Sequence, residues 1–436
     1  MSNVPMTLPE LVISEQPHIH SHTTTWVELD DGRIFLASFQ VYQYSEDRGL
    51  TWSPAQRMKD INGDDVGGSC TCLVKLSQNK SIGLVAQTKP SAEDLHWEGR
   101  QLLFWRSDDN GETWQLPTPI SPPDFFCQCL QDVLLRTSSG RIILPVFGHL
   151  GQPNRWEDRI VWNSGKLIRN QFVNVSGHYN DPHFAYTFNY YSDDDGRTWH
   201  RNKDGELMIL RDWSTDYSYV AEPTVTEVVP GRLLMFMRNG LGRLFQAWSN
   251  DDGETWTRPQ PTVLAASTTP AQLRTLPNGH LLCIWNQASE QEVRQGYTLS
   301  RISSAISRDG GRVWEFFQNI DSQFETTRVE PGPIRAGRPE EIFFPAGQPA
   351  VERDPQHVTD TQVFRRAKYP SVLVMDDRVI VAYSCQGYLE DHPTESHLVH
   401  ADDNVGLKIL PLKWFYGGKE PADNPFLKAA YEPAKP

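Results

Sequence analysis

Ser107-Asp108-Asp109-Asn110-Gly111-Glu112-Thr113-Trp114 is the stretch that decides how this chain folds. Its pattern, S-x-D-x-G-x-T-W, recurs at Ser45–Trp52, Ser192–Trp199 and Ser249–Trp256, and again at Ser307–Trp314 with Val313 in place of Thr. The tryptophans are separated by 62, 85, 57 and 58 residues, a spacing that marks a structural repeat. In a tight turn the Ser and Asp side chains accept backbone N–H bonds, and Gly supplies the positive φ that the turn demands. Thr and Trp then begin the next strand, with the indole covering the apolar underside of the turn. The octapeptide therefore predicts a structural staple between two strands.

A second repeat interleaves with the first: a β-type run, a turn, then another β-type run. It is seen near 23–39, 72–87, 132–147, 223–238, 271–285 and 370–384. Each copy reads as an inner hairpin, and each octapeptide as the joint between two outer strands. Six such four-stranded units in succession predict an all-β fold, a six-bladed propeller occupying 1–436 as one domain. The early segment Leu8–Ser14 is expected to pair into the last blade and close the ring, removing open edges.

Composition agrees and removes several function classes. The 436 residues carry 41 Lys+Arg against 55 Asp+Glu, a net charge of −14. An acidic chain is poorly suited to nucleic acid, whose phosphates need a basic surface. No apolar run reaches the length of a membrane span. The N-terminus has no basic segment followed by an apolar one, so a cytoplasmic location is expected. The cysteines, Cys70, Cys72, Cys127, Cys129, Cys283 and Cys385, are too sparse for a disulfide scaffold and read as free thiols.

In a propeller, residues that precede each inner strand or follow its hairpin gather at one mouth of the central channel. Blade one contributes His18, His20 and His22 there, and blade two Asp64, Asp65, Ser69, Cys70 and Cys72. Blade three contributes Asp132, blade four Glu222 and Arg238, blade five Arg301, and blade six Tyr369. A Glu, a Tyr and two Arg on one concave face suggest chemistry on an anionic substrate, since the guanidinium fork binds carboxylate bidentately. The H-x-H-x-H and C-x-C pairs also share strand faces, but zinc sites with Cys favour wider spacing, so no metal is expected. His178, Asp181 and His183 lie in a long blade-three insertion that reads as a solvated loop.

The octapeptides are Asp-boxes, and the chain resembles the sialidase (neuraminidase) superfamily from about residue 17 to 416. Glu222 and Arg238, sixteen residues apart across Pro223 to Met237, match the family's blade-four pair; Tyr369-Pro370-Ser371-Val372 matches its tyrosine motif. The resemblance implies a retaining exo-glycosidase for a terminal acidic sugar, with no cofactor. Tyr369 would be the nucleophile, Glu222 its base, and Arg238 and Arg301 the grip on the substrate carboxylate. A neutral phenol suits an anomeric carbon that bears a carboxylate, an exception to the two-carboxylate scheme. Its ordinary pKa near 10 calls for a neighbouring base.

Two positions depart from the family pattern. The first arginine of the family falls, ten residues before Gly32, on His22. The loop that carries the acid/base Asp is missing, because Phe39 runs through Gln40–Tyr44 directly into the first Asp-box. Asp64, Asp65, Asp132 and His22 are the candidates for that acid. Two alternatives remain at this point: a non-catalytic propeller that binds glycan or protein, and a polysaccharide lyase acting on uronate.

Overall fold

The computed structural model describes residues 17, 19, 23–88, 101–123, 127–150, 166–168, 171–173, 184–212, 216–218, 220–267, 269–294, 297, 299–334, 363–389 and 404–418. Six antiparallel sheets follow one another along the chain. Blade one is β1 (Thr24–Glu28), β2 (Ile34–Ser38), β3 (Val41–Ser45) and β4 (Gln56–Arg57); blade two is β5 (Ser69–Lys75), β6 (Ile82–Gln87), β7 (Leu102–Ser107) and β8 (Thr118–Pro119). Blade three begins with β9 (Leu135–Arg136) and β10 (Ile142–Leu150). After a ribbon of β11 (Lys166–Ile168) and β12 (Gln171–Val173) it resumes with β13 (Phe184–Ser192) and β14 (His200–Arg201). A second ribbon, β15 (Ile209–Asp212) with β16 (Asp216–Ser218), precedes blade four. That blade is β17 (Ala221–Val229), β18 (Arg232–Arg238), β19 (Arg243–Ser249) and β20 (Gln260–Ala265). Blade five is β21 (Gln272–Thr275), β22 (Leu281–Asn286), β23 (Arg301–Ser307) and β24 (Glu315–Ser322). A one-turn helix, α1 (Glu290–Arg294), sits between β22 and β23. Blade six shows β25 (Val363–Val374), β26 (Arg378–Leu389) and β27 (Asn404–Pro411). Leu8–Ser14, expected to complete that blade, lies outside the described residues.

Apolar packing sits between blades. Phe35 and Tyr42 of blade one share a core with Leu84 and Trp105 of blade two, and Val85 and Phe104 of blade two with Leu144 and Phe188 of blade three. The same arrangement continues from three to four, four to five and five to six. Trp26, Ile34 and Trp52 of blade one pack on Leu373, Ile380 and Ile409 of blade six, so the ring is closed by the same hydrophobic contact that builds it.

The Asp-boxes act in that seam. Ser107 Oγ accepts the Gly111 N–H at 2.8 Å and donates to Asp109 Oδ1 at 2.6 Å, while Asp109 Oδ1 accepts the Thr113 N–H at 2.9 Å. Equivalent bonds hold the turns at Ser45, Ser192, Ser249 and Ser307. Burial opposes ionisation of Asp47, Asp109, Asp194 and Asp251, yet these hydrogen bonds hold all four below the usual carboxylate range. Gly196 needs its positive φ of 81°, and a Cβ there would come within 1.9 Å of the Phe104 ring of blade two. The indole of Trp199 lies edge-on to the same Phe104 at 5.1 Å. The tryptophan thus covers the neighbouring blade as well as its own turn. The variable residue before the glycine also reaches the preceding blade: Arg48 pairs with Asp377 at 2.7 Å, Asp195 with Ser77, and Asp252 with Ser139 at 2.5 Å.

Candidate functional site

All six inner strands run the same way, so their first residues surround one mouth of the channel. There the backbone is bent out of regular β geometry. Glu222 has φ 44° inside a register shift between Ala221 and Thr224, and Tyr369 has φ 57° inside a shift between Lys368 and Ser371. Gln131 and Asp132 show φ 63° and 23° ahead of β9, and Gly68, ahead of β5, has φ 90°. Positive φ is uncommon for a residue with a Cβ and costs energy. A bulge with such a residue re-aims one side chain away from the pleat. Glu222 and Tyr369 share this bulge, while Asp132 reaches positive φ in the segment ahead of β9.

The β17–β18 hairpin explains why Glu222 and Arg238 meet. Ala221 and Arg238 are cross-strand partners, so the sixteen-residue spacing is the register of the hairpin itself. Arg238 Nη1 donates to Glu222 Oε2 at 2.6 Å. The two side chains are only 13% and 8% exposed, so water and salt screen this pair less than a surface ion pair. Glu222 Oε1 takes no hydrogen bond from a described residue. Tyr369 is half-buried, with the Lys368 ammonium 5.8 Å from its ring centroid.

Asp132 is tied into the channel axis. Its carboxylate accepts a short hydrogen bond from Thr25 of blade one, and Arg274 of blade five reaches both its carbonyl and its Oδ2, the latter at 3.4 Å. Burial drives its pKa up to about 6, against the opposing pull of Arg274 and Thr25. Gln272 Nε2 donates to the Gln131 carbonyl at 3.2 Å beside it. Asp132 therefore links blades one, three and five across the axis.

Asp65, Asp64 and Arg301 have partners of their own. Asp65 lies on an exposed hairpin, paired with Lys59 at 2.6 Å and Arg57 at 3.7 Å, and the Lys59 ammonium holds its carboxyl below the usual range. Asp64 belongs to the same hairpin, its N–H bonded to Asp60 Oδ1 at 3.0 Å. The structure does not bring either into contact with Glu222 or Tyr369. Arg301 is fully enclosed: Nη2 meets Glu292 Oε1 at 2.7 Å, Nη1 meets Oε2 at 3.2 Å, and the Phe324 ring lies 4.6 Å from the guanidinium. To grip a substrate carboxylate, this pair would have to open. His18, His20, His22, His178, Asp181 and His183 lie outside the described residues, as does the Cys70 side chain. Cys72, Cys127, Cys129 and Cys283 are buried free thiols, and burial pushes Cys127 up to about 12. Cys72 Sγ accepts the Val133 N–H at 3.4 Å, a packing role between blades two and three.

Sequence reasoning missed Glu292, Arg274 and Asn286. Glu292 had a readable signal, the capping box Ser289-Glu290-Gln291-Glu292. In it the Glu292 N–H donates to Ser289 Oγ at 3.1 Å, and the Ser289 N–H donates to Glu292 Oε2 at 2.7 Å. Arg274 and Asn286 carried none, because their partners are distant in sequence. A recess of about 590 Å³ lies at the opposite, Asp-box end, lined by Arg136, Arg141, Asp195 and Asp252 among others, away from the mouth.

With the blades and the mouth in place, comparison with known proteins is direct. The family described as BNR repeat-like domain matches residues 40–382. The chain belongs to the BNR repeat-like domain family. Among solved structures, this BNR propeller is similar to the Hadza microbial sialidase Hz136 at TM-score 0.51 and 17% identity, over 90% of this chain and 66% of that one. A protein of unknown function from Dyadobacter fermentans DSM 18053 matches at TM-score 0.52 and 17% identity, over 92% and 98%. The K499G mutant of NanB sialidase from Streptococcus pneumoniae matches at TM-score 0.51 and 12% identity, over 94% and 72%. The BNR chain thus spans just under two-thirds of the Hadza enzyme but nearly all of the Dyadobacter protein. At these identities the likeness is one of fold: a sialidase-like six-bladed propeller. No helix among the described residues is long and apolar enough to cross a membrane.

Proposed function

We propose that the chain is a retaining exo-glycosidase that hydrolyses a terminal acidic sugar, with Tyr369 as nucleophile and Glu222 as its base. The observation that carries this reading is the pair of bulges at one mouth, which turn Glu222 and Tyr369 out of regular β geometry. Tyr369 Oη attacks the anomeric carbon as its proton passes to Glu222 Oε1, and the bond to the leaving oxygen breaks. Water then attacks the anomeric carbon and the bond to Tyr369 breaks. Glu222 returns its proton to the Tyr369 oxygen, water's surplus proton passes to solvent and balances the departed leaving group, and two inversions give net retention. Arg238 holds the substrate carboxylate beside its bond to Glu222, and protonation of Glu222 during the attack weakens that bond and strengthens the grip on the carboxylate. Binding and proton transfer are coupled through one ion pair.

An aryl leaving group departs without protonation, so aryl glycosides of acidic sugars test the Tyr369–Glu222 pair by itself. Wild type is expected to hydrolyse at least one member of such a panel with retention of the anomeric configuration by NMR. Inverted product, or full activity in Tyr369→Phe, overturns the mechanism. A non-catalytic glycan-binding propeller is the second reading, favoured by the enclosure of Arg301 in its pair with Glu292. Tight binding on a glycan array with no turnover would select it. A product with ultraviolet absorbance from an unsaturated uronate would select a lyase instead.

A further inference from the structure

The nucleophile assigned above sits on a strained bulge, and such a conformation persists only where neighbours over-determine it. The segment leading into it is fixed from blade five. Asn286, at the end of β22, is 1% exposed and donates from Nδ2 to the Ala367 carbonyl at 2.6 Å and to the Arg301 carbonyl at 2.9 Å. Its Oδ1 accepts the Thr269 hydroxyl at 3.1 Å, which fixes the orientation of the amide. The Ala367 N–H donates to the Leu299 carbonyl at 2.8 Å, so both polar groups of Ala367 are held by blade five, two residues before Tyr369.

We infer that Asn286 is a positioning residue: it fixes the 367–369 segment so that the Tyr369 phenol stands in reach of Glu222. This rests on the nucleophile assignment above. The side chain is chemically suited to the task, because only an amide can donate twice to carbonyls while accepting a hydroxyl from the opposite side. A carboxylate would face both carbonyls with lone pairs, and an aliphatic residue would leave both unsatisfied. The consequence for the reaction falls on kcat, since substrate contacts are untouched while the reacting oxygen loses its alignment.

The test uses Asn286→Ala, with Thr269→Val as a milder second variant that removes only the hydroxyl anchoring Oδ1. Hydrogen exchange of the peptide spanning 363–374 reads the positioning without reference to turnover. Kinetics on the best aryl glycoside, measured well below each variant's Tm and per folded molecule, read its consequence. The expected result for Asn286→Ala is a rise of about 10-fold or more in exchange at 367–371, with kcat down about 10- to 100-fold and KM within about twofold. Thr269→Val is expected to shift both quantities in the same direction by less, and it alone decides the matter if Asn286→Ala does not fold. Unchanged exchange at 367–371 overturns the inference whatever the activity. Raised exchange with unchanged kcat also overturns it, because Asn286 would then be structural only. Raised exchange in a protein whose wild type cleaves no glycoside upholds the positioning and overturns the glycosidase reading instead.

Discussion

The two ends of the ring are built by opposite rules. At the Asp-box end the same hydrogen bonds recur turn after turn, Asp109, Asp194 and Asp251 each being held by a Ser and a Thr within their own octapeptide. At the mouth, positions within or just ahead of the inner strands carry different residues: Gly68, Asp132, Glu222 and Tyr369, each on positive-φ backbone. One end repeats chemistry to hold blades together. Positive φ occurs at both ends, at Arg48, Asn110, Asp195 and Asp252 in the boxes, but at the mouth the residues that carry it differ in chemistry from blade to blade. The contrast teaches that in a repeat fold the repeated residues carry stability, and the positions where the repeat fails are where to seek chemistry.

Substitutions at the two ends should therefore separate cleanly. The largest expected effect is at the mouth: Tyr369→Phe should lower kcat by about 10³-fold with little change in Tm. Glu222→Gln should lower it by about 10²-fold or more. Next comes Gly196→Ala at the other end, where a Cβ would collide with Phe104 at a φ of 81°. It is expected to cost about 3 kcal/mol or more in denaturant unfolding while leaving kcat per folded molecule intact. Loss of catalysis in folded Gly196→Ala would blur the division between the ends. Asp194→Ala, which removes the acceptor for Ser192 and Thr198, should cost about 2 kcal/mol with the same kinetic silence.

The pH dependence has opposite signs at the two ends. Box carboxylates such as Asp194 lie below their ordinary 3.8, so their stabilisation is present above that value and fades as pH falls through the folded pKa. Asp132 is raised from 3.8 to about 6, so the folded state binds more protons than the unfolded state between those values. Its contribution to stability accordingly declines as pH rises from 4 to about 6 and is constant beyond. The difference in Tm, wild type minus Asp132→Asn, should fall across that window; a difference that rises would reverse the assignment. The smallest effect is expected from Val313→Thr, which gives the fifth box the hydroxyl it lacks and should add about 0.5–1 kcal/mol.

How much was legible in the sequence follows the range of the interactions. The Asp-boxes could be read because the Ser and Asp bonds that define each turn close within eight residues, as Ser45 through Trp52 shows. Glu222 and Arg238 could be paired because a hairpin converts a spacing of sixteen into a cross-strand contact. Arg274 on Asp132 could not, since 142 residues and two blade boundaries separate them. Arg301 looked available for a substrate because its spacing from the fifth Asp-box says nothing of enclosure. Its burial depends on Glu292 and Phe324 converging from different elements. Asn286 was invisible for the same reason, its partners being two carbonyls and a hydroxyl from three separate segments.

The central claim, that the bulge midway along β25 presents a nucleophile, is tested most directly by trapping. A fluorinated glycosyl fluoride of whichever acidic sugar the protein hydrolyses slows turnover of the covalent intermediate. Peptide mass spectrometry after such treatment is expected to find one glycosyl adduct, on Tyr369, absent from Tyr369→Phe. An adduct on any other residue, or inactivation without an adduct on Tyr369, would contradict the account.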